Sequence, residues 1–224
     1  MAGDQVVFLF DVDNTLLDND RVVADLMRHL EREVGHERQQ RYWTIFEQLR
    51  SQLGYADYLG ALQRYRLENP RDSRLLAVSL FLIDYRFANR LFPNSLDVLE
   101  RCRQWGPTVI LSDGDVVFQP HKVEASGLFE AVEGRVLIYV HKELELDDVE
   151  QKYPADHYVV VDDKLRILTA IKNAWGNRDD GVSAPGTLCA RRGSDRQVSG
   201  RRHHYRADRR ADGLRSRGAA RRAS

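Results

Sequence analysis

VVFLFDVDNT, residues 6–15, carries the strongest structural signal in the chain. Its first five residues are apolar and rich in Val and Phe, which is typical of a buried strand in a parallel sheet. Asp11 and Asp13 follow at the carboxyl end of that strand, where open α/β sheets bind their ligands. Burying two acidic groups side by side is costly unless a cation or a proton compensates them. The pattern therefore indicates a site for Mg²⁺-dependent phosphoryl transfer.

The two carboxylates are expected to do different jobs. Asp11 would attack phosphorus as an ionised nucleophile and share the metal. Asp13 lies two residues on and points the same way if the strand geometry persists, so it would donate a proton to the leaving oxygen and later accept one from water. Keeping Asp13 protonated near neutrality requires a pKa rise of about three units, roughly 4 kcal/mol, which a desolvated pocket under a closed lid could supply.

Residues 11–17, DVDNTLL, resemble the first motif of the haloacid dehalogenase superfamily, a large group of aspartyl-phosphate phosphatases and their relatives. The resemblance implies an aspartyl-phosphate intermediate on Asp11 and Mg²⁺ as cofactor, with Asp11 and Asp13 among the metal-binding residues. Thr15 offers a hydroxyl and a backbone N–H for the phosphate, or else simply caps the turn. An ordinary βα turn on the surface is the alternative for the whole stretch.

A second apolar run, TVIL at residues 108–111, ends in Ser112. The family places a Ser or Thr there to hydrogen-bond the transferring phosphoryl group. Ser112 is accordingly expected to be catalytic and to bind phosphate, and Asp113, in the tight turn that follows, is grouped with the phosphate-binding residues. Taken alone, Ser112 would more often be a helix cap.

The third apolar run, residues 136–140, leads into Lys142. Lys142 resembles the family lysine that balances charge on Asp11 and on the phosphoryl oxygens. Lys122 competes for this role, but it sits within a stretch that resembles the helix following the second motif. We therefore favour Lys142 as the catalytic, phosphate-binding lysine.

The fourth run, residues 157–161, ends in Asp162 and Asp163. This pair resembles the acidic fourth motif, whose carboxylates complete the magnesium site, one directly and one often through water. Which of the two is the direct ligand stays open, and a solvated charge cluster is the alternative.

These four strands predict an α/β fold, a Rossmann-like parallel sheet core with an inserted α-helical cap. Residues 1–17 and 93–178 would form the core, and residues 18–92, where helical periodicity replaces strand signals, would form the cap. Such a cap closes over the core, excludes water and contacts the substrate. FPNS at residues 92–95 is expected to be the return hinge, with Ser95 capping the next helix.

The most concrete functional prediction is a phosphatase that acts on a small phosphorylated metabolite. The dehalogenase branch of the superfamily needs neither a metal nor a leaving-group acid, so it resembles this chain poorly at Asp13. Two alternatives stay open: a catalytically compromised or truncated relative with a binding role or none, and a phosphosugar mutase.

Composition is typical of a cytoplasmic enzyme that binds no membrane. The 224 residues are 42% hydrophobic, no signal peptide precedes Val6, and no apolar run approaches the length of a membrane span. The two cysteines, Cys102 and Cys189, provide neither a disulfide framework nor metal-ligand spacing. The oligomeric state cannot be read from the sequence.

The formal charge of zero conceals an Arg-rich tail. Residues 179–224 contain 12 Arg, no Lys and 5 acidic residues, a balance of +7, so residues 1–178 carry −7. The tail shows no apolar period, and we expect it to be poorly ordered. It could bind RNA or another anion, but it lacks interleaved aromatics and any recognised module, so nucleic acid is not the expected partner.

A frameshift near Arg178 explains more features of the tail than anion binding does. Back-translating residues 179–188 and moving the frame by one base permits TTVFPRQGHY, which resembles the edge strand that usually follows the fourth motif in this superfamily. The catalytic residues all precede the shift, so the chemistry would survive, whereas loss of an edge strand would cost stability. We expect sequencing of the gene and transcript to reveal the shift; an unbroken frame through codons 176–185 would contradict it.

Overall fold

The structure, a computed structural model, describes residues 5–176 and a short strand at 187–189. Its sheet has the order β3-β2-β1-β4-β5, and every neighbouring pair is parallel. The strands are β1 (Val6–Phe10), β2 (Thr108–Asp113), β3 (Val136–Tyr139), β4 (His157–Val161) and β5 (Thr187–Cys189). The predicted α/β fold with a parallel sheet is thereby confirmed.

Nine α-helices surround this sheet in the described residues. Four of them follow β1 without an intervening strand: α1 (Asn19–Val34), α2 (His36–Leu53), α3 (Tyr58–Glu68) and α4 (Leu75–Ile83), with a 3₁₀ turn at Phe87–Arg90. The others are α5 (Ser95–Arg103), α6 (Phe118–Ala125), α7 (Leu128–Ala131), α8 (Leu146–Lys152) and α9 (Leu165–Gly176), and a second 3₁₀ turn spans Lys142–Leu144. Among the described helices, not one combines the length and apolar character needed to span a membrane.

The two ends of the helical insertion of residues 18–92, called the cap below, lie side by side. A β-bridge joins Leu17 to Leu91, and the backbone N–H of Asp18 donates to the carbonyl oxygen of Arg90 at 2.8 Å. The two connecting segments therefore run side by side, which is the arrangement expected of a hinge.

Ser95 does not cap α5 as expected. Its hydroxyl donates to the carbonyl oxygen of Leu16 at 2.8 Å, so it ties the returning chain to the segment that leaves the sheet. Asn94 takes the N-cap position with φ of 65° and makes no side-chain cap hydrogen bond. Asn tolerates this left-handed backbone better than most residues.

The frameshift hypothesis predicts loss of the edge strand beside β4, but three residues of the tail do form a strand there. Thr187, Leu188 and Cys189 pair with residues 159–161 of β4. The free edge of a strand offers N–H and C=O groups to any extended backbone, so pairing does not require an apolar side-chain period. The rest of the tail, including the expected disorder and most of the proposed frameshift region, lies outside the described residues.

The apolar core lies on both faces of the sheet. On one face β-strand side chains pack with α8 and α9, through residues such as Val160, Val149 and Ile171. On the other face a single cluster runs from Phe10 and Leu99 into the cap. The cap and this face of the sheet consequently share one hydrophobic core.

Gly106, between α5 and β2, provides a test of this packing. An added Cβ would collide with the carbonyl oxygen of Val6 at the start of β1. We expect Gly106→Ala to lower the free energy of unfolding by about 1–3 kcal/mol, because the strand must shift to admit the methyl group. Urea denaturation of Gly176→Ala, whose Cβ would meet open space, is the control; equal midpoints for the two variants would contradict the prediction.

Candidate active site

The carboxyl ends of four adjacent strands bring the predicted site residues together. Asp11 follows β1, and Asp162 follows the neighbouring β4. Ser112 lies near the end of β2, and Lys142 opens the 3₁₀ turn after β3. Because the sheet is parallel, residues that are 131 or more positions apart in the chain meet at one edge.

Lys142 is the central cation of the site. Its Nζ lies 2.6 Å from Asp11 Oδ1 and 2.6 Å from Asp162 Oδ2, and it donates to the carbonyl oxygen of Leu111 at 3.1 Å. The side chain is only 2% exposed. Such a buried ammonium requires close anionic partners, and here it has two.

The environment sets the charge states of this pair. Burial raises the pKa of Asp11 to about 6, although the neighbouring Lys142 ammonium opposes the rise. Burial alone would lower the pKa of Lys142, but the carboxylates of Asp11 and Asp162 outweigh it and raise that pKa above its ordinary value. At neutral pH both groups are therefore charged, and Asp11 is available as a nucleophile.

Asp11, Asp162 and Asp163 could hold a metal ion. One carboxylate oxygen from each lies within 4.8 Å of the other two. The Lys142 ammonium contacts Asp11 and Asp162, and the charge of Lys164 also acts on Asp11 and Asp163, so the three carboxylates outnumber the cations beside them. Oxygen ligands with this charge suit Mg²⁺.

Thr15 links two of these acidic residues. Its hydroxyl donates to Asp11 Oδ2 at 3.3 Å and accepts a hydrogen bond from the backbone N–H of Asp163 at 3.0 Å. Thr15 therefore orients the nucleophile and the loop after β4. Its predicted contact with phosphate remains a prediction.

The Asp13 carboxylate does not join the three clustered carboxylates. It pairs instead with Lys122, whose Nζ lies 2.7 Å from Oδ1 and 3.0 Å from Oδ2. Its predicted place among the metal-binding residues stays a prediction; in the structure the carboxylate forms an ion pair with a second buried lysine. The sequence analysis favoured Lys142 over Lys122 for a role in the site. Lys122 lies four residues after buried Phe118, on the inward face of α6, and this position was the sequence signal for its burial.

Ser112 is buried, with its hydroxyl held in place. The Oγ accepts a hydrogen bond from Nε2 of Gln119 at 2.9 Å and contacts the carbonyl oxygen of Asp113 at 3.4 Å. Gln119 lies in α6 and was not predicted as a site residue. It fixes the hydroxyl from the helix side.

The Asp113 side chain anchors the loop that carries Lys142. Its Oδ1 accepts the backbone N–H of Lys142 at 2.8 Å. Burial raises the pKa of this carboxyl. Its predicted role in phosphate binding is not tested by this contact, which points to loop placement instead.

The cap reaches the same loop. The imidazole of His141 lies where a Cβ on Gly54 would project, and Gly54 ends α2 with φ of 83°. The positive φ favours glycine here, and an added Cβ would displace the imidazole of His141, so Gly54 suits this contact between the cap and His141.

Comparison with protein-family models identifies a family for the chain. The model of the haloacid dehalogenase-like hydrolases matches residues 6–174, which contain every site residue named above. No curated protein compared with the chain matches it.

Solved structures agree with the family match. A protein described as a haloacid dehalogenase-like hydrolase from Burkholderia xenovorans LB400 is 66% identical, with 79% of this chain and 82% of that chain covered and a TM-score of 0.75. A HAD-hydrolase from Bacillus subtilis, solved with bound magnesium, is 18% identical over 83% of this chain and 94% of its own, with a TM-score of 0.52. A structure described as a dehalogenase is 16% identical over 84% and 93%, also with a TM-score of 0.52. At these lower identities the likeness concerns the fold alone.

The raised pKa of Asp11 predicts how metal binding depends on pH. A proton on Asp11 competes with the cation, so Mg²⁺ affinity should be constant above pH of about 6 and fall by up to tenfold for each pH unit below it. Calorimetric titration with Mg²⁺ between about pH 5 and about pH 8 measures this.

Asp162→Asn, which removes one carboxylate from the cluster, is the matched control and should weaken binding at every pH. An affinity for wild-type protein that does not change between about pH 5 and about pH 7 would contradict competition at Asp11.

Proposed function

The chain belongs to the haloacid dehalogenase-like hydrolases, and on that premise we propose that it is a Mg²⁺-dependent phosphatase of a small phosphorylated metabolite. The observation that carries the proposal is the buried Asp11 carboxylate. It lies against Lys142 and within 4.8 Å of oxygens from Asp162 and Asp163. This arrangement provides an ionised nucleophile beside carboxylates that could bind a cation. The bound cation would in turn attract a phosphate group.

The three clustered carboxylates fit a divalent cation, as their excess negative charge indicates. Asp11, Asp162 and Asp163 would hold it. When bound, Mg²⁺ would supply charge compensation for the phosphoryl oxygens.

Asp11 carries the covalent part of the proposed reaction. Its carboxylate oxygen attacks phosphorus, the bond from phosphorus to the ester oxygen breaks, and an acyl phosphate forms on Asp11. Water then attacks the same phosphorus, which breaks the bond to Asp11 and releases inorganic phosphate. The nucleophile is regenerated as a carboxylate.

Asp13 manages the protons of both steps. Asp13 must take up a proton before the first step, since the Lys122 ammonium favours the ionised carboxylate; it then gives that proton to the departing ester oxygen and accepts one from the attacking water in the second step. Its carboxylate is partly exposed, with 21% of the side chain accessible, so substrate can reach it. A group of this kind is what distinguishes release of an alcohol from displacement of a halide.

Lys142 and Ser112 hold the transferring group. The Lys142 ammonium already contacts Asp11 and would offset charge on the phosphoryl oxygens as they approach the same carboxylate. The Ser112 hydroxyl, oriented by Gln119, would turn from the carbonyl oxygen of Asp113 to donate to one of these oxygens. Both residues act chiefly by positioning and charge compensation.

Replacement of the nucleophile tests the proposal directly. Hydrolysis of p-nitrophenyl phosphate should require Mg²⁺, stop on chelation and return when Mg²⁺ is restored. Asp11→Asn should lower kcat by more than about 10³-fold, since loss of a covalent nucleophile removes the main path. It should still fold, because the amide is similar in size and Asp162 continues to pair with the buried Lys142 ammonium.

Asp97→Asn, at an exposed position in α5, is the matched control and should retain full activity. A panel of phosphorylated metabolites, 2-haloacids and phosphosugars, analysed for free phosphate, halide and isomerised product, separates the alternatives. Release of halide or isomerised sugar without free phosphate, or no turnover by folded protein with Mg²⁺, would overturn the assignment.

A further inference from the structure

A second buried lysine lies beneath the proposed acid–base residue. Lys122 is fully buried in α6, and its Nζ meets both carboxylate oxygens of Asp13, at 2.7 Å and 3.0 Å. The same nitrogen donates to Asn19 Oδ1 at 3.1 Å and lies 5.6 Å from the centre of the Phe118 ring. An ammonium has three N–H donors, and these three oxygens account for all of them.

The placement of the three oxygens distinguishes this lysine from a simple structural ion pair. Two oxygens belong to a partly exposed carboxylate at the site, whereas Lys122 is closed off from solvent. The ammonium therefore holds Asp13 from the protein side and leaves the remaining face of the carboxylate open. A rigid contact of this kind limits the rotamers that Asp13 can adopt.

The third oxygen connects this contact to the cap. Asn19 is the first residue of α1, and its Nδ2 lies 3.5 Å from the hydroxyl of Tyr58. Tyr58 opens α3 and packs against Phe118 at a ring distance of 5.2 Å. A continuous set of polar contacts thus runs from Asp13 through Lys122 and Asn19 into the cap.

We propose that Lys122 is the positioning residue of Asp13, holding its carboxylate in the orientation needed for proton transfer and making that orientation depend on Asn19 of the cap. The proton-transfer part of this role rests on the proposed function. Lys142 then contacts the nucleophile, Asp11, and Lys122 positions the acid–base residue, Asp13.

Leaving-group dependence tests this role. An alkyl phosphate needs a proton on its departing oxygen, whereas p-nitrophenolate leaves without help. Lys122→Met should lower kcat for glycerol phosphate by about 10- to 100-fold, because a misplaced acid loses most of its advantage, and kcat for p-nitrophenyl phosphate by less than about 3-fold. Equal losses with both substrates, or a gain with glycerol phosphate, would overturn the proposal.

A double-mutant cycle shows whether Lys122 acts through Asp13. In an Asp13→Asn background, Lys122→Met should change kcat for glycerol phosphate by less than about 2-fold, because the group being positioned is already lost. The double variant has no unpaired charge at the contact, whereas Asp13→Asn alone leaves the buried Lys122 ammonium without its carboxylate, so folding of each variant is checked by circular dichroism before kcat is compared. Independent, additive losses would contradict the proposal.

Lys152→Met, which removes an exposed lysine paired with Asp148, is the matched control and should leave both substrates unaffected. Crystal structures of the wild type and Lys122→Met provide a readout without turnover: the Asp13 side chain should change rotamer in the variant. An unchanged rotamer would overturn the positioning role. If the wild type is inactive although the Asp13–Lys122 contact is present, the proposed function is overturned. The positioning role is then judged from the Asp13 rotamer in the two crystal structures.

Discussion

The ammonium of Lys142 between Asp11 and Asp162 is the interaction on which the rest of the site depends. Two buried carboxylates on adjacent strands repel each other, and without a cation between them the ends of β1 and β4 would lose stability. The loop after β3 is therefore fixed by two separate contacts: the ion pairs of the ammonium and the hydrogen bond from its own backbone N–H to Asp113. The site is thus organised before any substrate enters, as electrostatic catalysis requires.

The charge pattern of the site follows from a division between two lysines. Lys142 neutralises part of a carboxylate group that still carries excess negative charge, whereas Lys122 pairs with Asp13 alone. One centre can therefore accept a cation, while the other stays balanced. Both lysines come from segments that follow β2 or β3, so the parallel sheet supplies the separation between them.

Much of this arrangement was accessible from the sequence. The bounds of β1 and β4 were predicted correctly because each is a short β-branched and aromatic run that ends in aspartate. Lys142 was singled out because it follows a third apolar run and resembles the family lysine. The partner of Asp13 was not identified: the position of Lys122 on α6 indicates burial, but a contact across 109 residues leaves no local pattern that names the partner. The contact of the Asp113 carboxylate with the backbone N–H of Lys142 likewise joins distant segments and leaves no local pattern. The pairing of Thr187–Cys189 was missed because main-chain hydrogen bonds are largely indifferent to side-chain type.

The hydrophobic cluster that spans the cap and one face of the sheet couples the unfolding of these two parts. Side chains such as Leu26 and Tyr42 of the cap belong to the same cluster as Phe10 and Leu99. Melting the insertion alone would strip one side of the sheet of its cover and expose apolar area to water. Heat should accordingly unfold the cap and the sheet in a single cooperative transition. A destabilising substitution in the core of the cap should therefore lower the stability of the whole protein.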